Sequence, residues 1–254
     1  MELQILTDIA DIQPGAWNAL AGTGNPFLRH EFLAALERNG CVGEQHGWIP
    51  RHLVAVGDRG QLLGAVPLYV KHNSYGEFVF DWAWADAYQR NGLVYYPKAV
   101  VAVPYTPASG SRILLADGAE RAQLCAAFVQ LAREWCSSEG LSSLHWLFTD
   151  PQDTRALQEQ GLMLRLGCQF HWQNRGYRDF EDYLDGFSSR KRKKVRRERR
   201  QVRDSDINVQ VVHGDEASDE LLQVMADLYR TTFDKKWGYA TLNLPFFRDL
   251  ATSM

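Results

Sequence analysis

The chain has 254 residues, 45% hydrophobic and 12% aromatic, with 28 Lys and Arg against 31 Asp and Glu. Such a composition supplies a sizeable core and excludes bulk disorder. A net charge of −3 also excludes a protein that coats polyanions over its whole surface.

The N-terminal MELQILTDIADIQPG carries acids where a secretory leader needs positive charge. NPFLRHEFLAALERNG reads as helix: Phe27, Leu28, Phe32, Leu33 and Leu36 recur at helical spacing and Asn39-Gly40 closes the run. HLVAVGDRGQLLGAVPLYVK predicts a hairpin about the Gly57–Gly60 turn. EFVFDWAWADAYQ then alternates, so a strand is expected with Phe78, Phe80, Trp82 and Trp84 on one face and Asp81, Ala83 and Ala85 on the other. YYPKAVVAVPYTP holds three prolines and predicts short pieces at a sheet edge. Helix follows over residues 119–138, strand in LSSLHWLF, and a short helix in TDPQDTRALQEQ with Thr149 as N-cap. LRLGCQFHWQN and NVQVV read as strands, and ASDELLQVMADLYRTTFDKKW as a long helix.

The segment SSRKRKKVRRERRQVR, residues 188–203, holds ten of the 28 basic residues and one of the 31 acids, leaving 18 bases against 30 acids elsewhere. A single basic stripe on an acidic chain points to one localised anionic partner. The competing reading is a solvated helix paired with Asp179, Glu181, Asp182 and Asp185 just upstream. The four cysteines, at 41, 125, 136 and 168, form no CxxC pair and suit reduced thiols in a cytoplasmic protein. Cys168 and His171 face opposite ways on a strand, and no HxxH or HExxH spacing occurs, so no metal is expected. The longest apolar runs are too short to span a bilayer.

Several strings in order, GWIPRHLVAV, SYGEFVFDWAWADAYQRNGLVYYPK, VPYTPASGSR, HWLF, QFHWQN, FSSRKRKKVRRERRQV and TFDKKWGYATLN, resemble the FemAB-like branch of the GNAT superfamily of N-acyltransferases. Within it they are similar to the bacterial group described as peptidoglycan biosynthesis or recognition proteins. The resemblance implies an α/β fold: a GNAT-like lobe over residues 1–178 with a mixed, mostly antiparallel sheet flanked by helices. A basic helix and the start of a second GNAT-like lobe follow over residues 179–254. It implies acyl or aminoacyl transfer to an amine, with acyl-coenzyme A or aminoacyl-tRNA as donor. The alternative is a recognition module on the same scaffold.

For that chemistry Asp81 and Asp86 are candidate proton acceptors, Asp81 because a carboxylate on a sheltered face acquires a raised pKa, with His145 as a further candidate. A structural carboxylate capping the loop that Gln89-Arg90-Asn91-Gly92 implies is the competing reading for Asp81. Trp82, Trp84 and Tyr88 are candidate substrate-pocket residues, against a role in the core. Arg190, Lys193, Arg196, Arg197 and Arg200 are candidate ligands for a phosphate-bearing small molecule or a tRNA end. The nearest sequence to a pyrophosphate-cradling turn, Gln61–Val66, lies inside the hairpin strand, where its amides are committed to the ladder.

Overall fold

A proline, Pro67, shapes the centre of the protein. In the computed structural model, which describes residues 1–235 and 238–254, the predicted hairpin is longer than expected and is bent in the middle. One arm runs through β2 (Trp48–Pro50) and β3 (His52–Val56), the other through β4 (Leu62–Val66) and β5 (Leu68–Lys71). The breaks fall at Arg51 and Pro67. There the ladder is carried by the Arg51 amide donating to the Leu68 carbonyl at 2.8 Å, because proline has no N–H to contribute.

Each half of the hairpin nucleates its own four-stranded sheet. The first has the order β1 (Glu2–Leu6), β3, β4, β7 (Leu114–Leu115), and all its pairings are antiparallel. The second has the order β2, β5, β6 (Lys98–Val101), β8 (Leu144–Trp146), with a parallel β6–β8 pair at one edge. The fold is therefore mixed α/β with mostly antiparallel sheets. The expectation of an edge strand in YYPKAVVAVPYTP is corrected here: β6 is interior. Pro97 precedes it and Pro104 follows it, so no proline interrupts the ladder.

Helices cover both faces. On one, α1 (Pro14–Ala21), α2 (His30–Arg38) and α9 (Leu244–Ser253) bury Trp17, Leu33, Leu36 and Phe246 against Val54, Ala65, Tyr69 and Val100. On the other, α4 (Arg121–Ser138) and α5 (Pro151–Glu159) bury Phe128, Val129, Ala132 and Leu157 against Leu53, Val66, Leu68, Ala99 and Val101. Asp150, not Thr149, caps α5, accepting from the Gln152 and Asp153 amides at 2.8 Å each. The C-terminal α9 is fastened to α2 by Arg38 bonding Asp249 at 2.7 Å and Asn243 bonding the Asn39 carbonyl at 2.7 Å.

Contacts divide the chain into two compact units, residues 1–164 with 214–254, and residues 165–213. The second contains α6 (Phe180–Asp185) and α7 (Ser189–Arg203), the latter being the basic block. The expected strands in LRLGCQFHWQN and NVQVV are not formed: neither segment has a sheet partner among the described residues, and Leu166, Phe170, Val209 and Val211 are exposed. The expected long helix is α8 (Asp219–Asp234), capped by Ser218. Lys236 and Trp237, which the sequence pattern places at its end, lie outside the described residues.

Phe128 is fully buried where α4 meets β4 and β7. Phe128→Ala is expected to lower the unfolding free energy by about 3–5 kcal/mol, read from urea denaturation by circular dichroism.

Candidate active site

The register of the second sheet sets Lys71, the last residue of β5, directly opposite Lys98, the first of β6. Neither reaches solvent. Two ammonium groups side by side in a core demand anions, and the chain between them, residues 72–97, supplies two. Lys98 Nζ donates to Glu77 at 2.8 Å and to Asp81, which also accepts from Ser74 and, at 2.7 Å, from the Tyr95 hydroxyl. Tyr96 bonds Ser74 and closes the ring of hydroxyls. Gly76 makes the turn into Glu77 possible. Its φ is 78°, and a Cβ there would come within 2.5 Å of the Tyr105 ring.

Lys71 is differently placed. Its Nζ donates to the Tyr75 carbonyl at 3.0 Å and lies 3.9 Å from the centre of the Trp48 ring. Burial pulls its pKa down to about 7, with Lys98 adding to the fall and Glu77 and Asp81 opposing it. Burial likewise pushes Glu77 up despite Lys98 and Lys71, and its Oε1 has no hydrogen-bond partner among the described residues. Burial thus favours the uncharged form of both groups, opposed in each by its neighbours of opposite charge. Beside Lys71's acceptor, Tyr239 stacks on the Tyr75 ring at 4.5 Å and on His46 at 5.7 Å.

The structure changes the setting of the sequence candidates around Asp81. EFVFDWAWADAYQ is not a strand: residues Trp82–Arg90 form helix α3 and Asp81 is its N-cap residue. An alternating pattern of Trp and Ala has no β-branched residue and reads as well in a helix, where Ala is the best former. Asp81 is buried as expected, yet its pKa is lowered. Burial raises it, and the bonds from Lys98, Ser74 and Tyr95 more than offset that. A raised-pKa base at this position is therefore corrected to a charged, ion-paired carboxylate.

Asp86 is exposed and paired with Arg90 one turn on. Trp82 and Trp84 are exposed together with Phe78 and Phe80, so the aromatics are not core. Tyr88 packs edge-on against Tyr95 at 5.1 Å, and His145 on β8 meets the same ring at 6.5 Å while bonding Ser143 at 2.8 Å. Through Tyr95, then, the fold brings Asp81, Tyr88 and His145 together and leaves Asp86, Trp82 and Trp84 outside. Lys71, Glu77 and Lys98 are absent from the sequence-based candidates. Their signal is a lysine at the end of AVPLYVK and another at the head of KAVVAV, charges in runs otherwise fit for a core.

In the second unit the basic helix has two different sides. Arg192 pairs with Asp185 at 2.7 Å, Arg196 with Glu181 and Arg203 with Asp204, while Arg199 stands over the Phe180 ring at 3.8 Å. Arg190, Lys193, Arg197 and Arg200 have no ion-pair partner among the described residues, and their three- and four-residue spacing puts them on one face. Of the five predicted anion ligands, Arg196 is the one committed elsewhere.

Other buried polar groups hold structure. Arg112 bonds the Leu147 carbonyl at 3.0 Å and the Ala108 carbonyl at 2.6 Å, and Asp153 receives the Arg112 and Ile113 amides at 2.6 and 3.0 Å. Cys41, Cys125 and Cys136 are buried thiols, each pushed by burial up to about 11 and so poor nucleophiles at neutral pH. Among the described residues no three His, Cys, Asp or Glu side chains group as a metal would require, and no helix is long and apolar enough to cross a membrane.

Comparison with known proteins gives one family. The model named FemAB-like, described as peptidoglycan biosynthesis/recognition, matches residues 8–254. No curated protein matches. Similar solved structures include an aminoglycoside antibiotic 6'-N-acetyltransferase, AAC(6')-IG, from Acinetobacter haemolyticus, at 11% identity and TM-score 0.42, covering 68% of this chain and 99% of that one. Another is AAC(6')-Ih from Acinetobacter baumannii, at 15% identity and TM-score 0.40, covering 69% and 99%. A third is the ribosomal-protein-alanine N-acetyltransferase of Brucella melitensis biovar Abortus 2308, at 15% and 0.41, covering 68% and 100%.

Lys98→Met leaves Asp81 and Glu77 buried without their shared cation. It is expected to cost about 3–5 kcal/mol of stability, measured by chemical denaturation, and to expose residues 72–97 to limited proteolysis.

Proposed function

Since the chain belongs to the FemAB-like family, we propose that it is an acyl or aminoacyl transferase on a GNAT-like scaffold, delivering an acyl group from an activated donor to an amine such as that of a cell-wall precursor. The observation that carries this reading is Lys71, buried opposite Lys98 and its two carboxylates and bonded, among the described residues, only to neutral groups. An attacking amine must lose a proton as its C–N bond forms, and a lysine with a pKa of about 7 accepts one at neutral pH. Glu77, with a raised pKa and an oxygen lacking a partner among the described residues, takes the proton onward or holds the incoming ammonium. Lys98 holds Glu77 and Asp81 together, and Tyr95, which bonds Asp81, carries the contacts of His145 and Tyr88. Because Lys71 is fully buried, the reaction needs an opening, and Tyr239, stacked on the residue whose carbonyl receives Lys71, is the group to move.

In the second unit, taken by itself, the free face of α7 (Arg190, Lys193, Arg197, Arg200) is an anion-binding face for a phosphate-bearing ligand, whether acyl-coenzyme A, a nucleotide-linked precursor or a tRNA end. Guanidinium forks and lysines suit phosphate oxygens. The burial of the Lys71 cluster also favours a second reading, a recognition module in which these charges only fasten the α3 excursion to the sheet.

One pH series separates the two. Lys71 has a folded pKa of about 7, below its ordinary value of 10.5. Between those values the unfolded chain binds more protons than the folded one, so the lysine's contribution to stability rises with pH across that window. Both readings predict that Lys71→Met flattens this rise in denaturation experiments. Only the transferase reading predicts that transfer, followed as thiol release from acyl-coenzyme A or deacylation of charged tRNA with a muropeptide amine present, climbs with pH through about 7. It also predicts a loss of at least a hundredfold in Lys71→Met, on the scale of general-base catalysis. An active Lys71→Met variant would sink the assignment.

The anion face is tested separately. Replacing Arg190, Lys193, Arg197 and Arg200 together by Gln is expected to abolish salt-sensitive retention of tRNA or coenzyme A. Arg196→Gln, which removes a paired residue, is expected to change it little.

A further inference from the structure

The second unit contains a pocket that the transfer reading does not use. It is open, about 400 Å³ in volume, and is lined by Trp172, Asn174, Tyr177, Asp179, Phe180 and Tyr183. Trp172 and Tyr177 face one another with centroids 6.4 Å apart and planes at 24°, and Tyr183 stands nearly perpendicular to both, at 6.1 and 5.3 Å. Two facing walls and an end wall make a three-sided aromatic box. The turn that builds it is set by Asn174, whose side chain accepts from the Gly176 and Tyr177 amides at 3.0 and 3.3 Å. Outside the box, Phe180 already carries Arg199 over its ring.

The charge at the box is equally specific. Four acids lie between residues 179 and 185, and three are neutralised: Glu181 by Arg196, Asp182 by Arg178 and Asp185 by Arg192. Asp179, which lines the pocket, has no cation partner among the described residues. One of its oxygens caps α6 through the Asp182 amide at 2.8 Å, and no Lys or Arg is among the lining residues. Electron-rich ring faces beside an uncompensated carboxylate select a cation.

A planar ring slid between Trp172 and Tyr177 would need two van der Waals layers, roughly 7–8 Å, more than the 6.4 Å present. A nucleobase sandwich is therefore disfavoured by the gap. The same gap keeps an alkylammonium from lying between these two rings, so the ammonium would sit at the open mouth of the pocket, where Trp172 is exposed, within the roughly 6 Å over which a cation is attracted to a ring centroid.

We propose that this box is a binding site for an alkylammonium group, either a primary ammonium of the lysine type or a quaternary one. It is independent of the acid–base role given to Lys71. Arg199, over the Phe180 ring that lines the same pocket, opposes a cation nearby, and the free basic face of α7 opposes it at longer range. That repulsion is screened over about 10 Å at 0.1 M salt, whereas the rings and Asp179 act at contact.

The test uses the full chain and follows the indole N–H signal of Trp172, assigned by its loss in Trp172→Phe. Titrants are n-butylammonium and tetramethylammonium, which separate the two sources, with neutral 1-butanol and adenosine as controls. At least one ammonium ion is expected to shift the signal and to bind at least about tenfold more tightly than 1-butanol. Asp179→Asn should weaken it about tenfold, and Tyr183→Ala should abolish it, while Tyr183→Phe, which keeps the ring and guards against misfolding, should retain it. Lys71→Met should leave the binding unchanged whether or not transfer is lost. Equal binding of 1-butanol, tighter binding of adenosine, or an unmoved Trp172 signal would each overturn the proposal.

Discussion

Two buried lysines on adjacent strands set the terms for the rest of the first unit. At the effective dielectric of protein interiors, like charges a few ångströms apart repel by several kcal/mol, before the larger cost of removing each from water. The chain between Lys71 and Lys98 answers this asymmetrically. Lys98 receives both carboxylates and stays inside a network of Tyr95, Tyr96 and Ser74 hydroxyls. Lys71 receives a carbonyl and an aromatic face instead, neutral partners that tolerate an uncharged amine. The same geometry that allows β5 and β6 to pair therefore leaves one lysine fully compensated and the other poised to lose its proton.

This arrangement depends on the bend in the hairpin. Had the arms through β2–β3 and β4–β5 run straight, one sheet would have carried all the strands. With Pro67 breaking the ladder, β5 takes β6 as its further neighbour and β4 takes β7, so the second sheet has a face of its own. On that face Trp48, Lys71 and Lys98 follow one another across three strands, and Val100 stands opposite His145 on the fourth. The opposite face is wholly apolar against α4. Polar and apolar work are thus divided between the two sides of a single short sheet.

Much of this is legible in the sequence, where local pattern and tertiary packing agree. The hairpin, α4, β8, α5 and α8 follow from periodicity and turn residues alone. The segment around Trp82 is not legible as helix, because period-two alternation over a few residues also arises when large and small residues happen to alternate in a helix. Its burial prediction fails with it, since the aromatics are assigned to a sheet face that does not exist. Asp81 stands out in the sequence for the right reason, a sheltered carboxylate, but its state depends on Lys98, seventeen residues away and brought beside it only by strand pairing. Glu77 and Lys71 are invisible for the same reason: a charge in an apolar run signals burial, and its partner is a matter of topology. The packing of α9 on α2 is likewise long-range, resting on Arg38, Asn39, Asn243 and Asp249.

The basic block shows how a charge run can satisfy two readings at once. A helix of alternating bases presents cations all round its circumference, and nearby acids can reach only the side they lie against. Glu181 and Asp185 precede α7 closely enough to meet Arg196 and Arg192, on one side. The acids upstream are too few, and too local, to reach Arg190, Lys193, Arg197 and Arg200 on the other. Pairing on the first side holds the helix against α6 within its unit, and that fixed placement turns the second side from a diffuse cloud of charge into a row of donors at helical spacing. A solvated, paired face and an anion-binding face are thus complementary here, because the first gives the second its geometry.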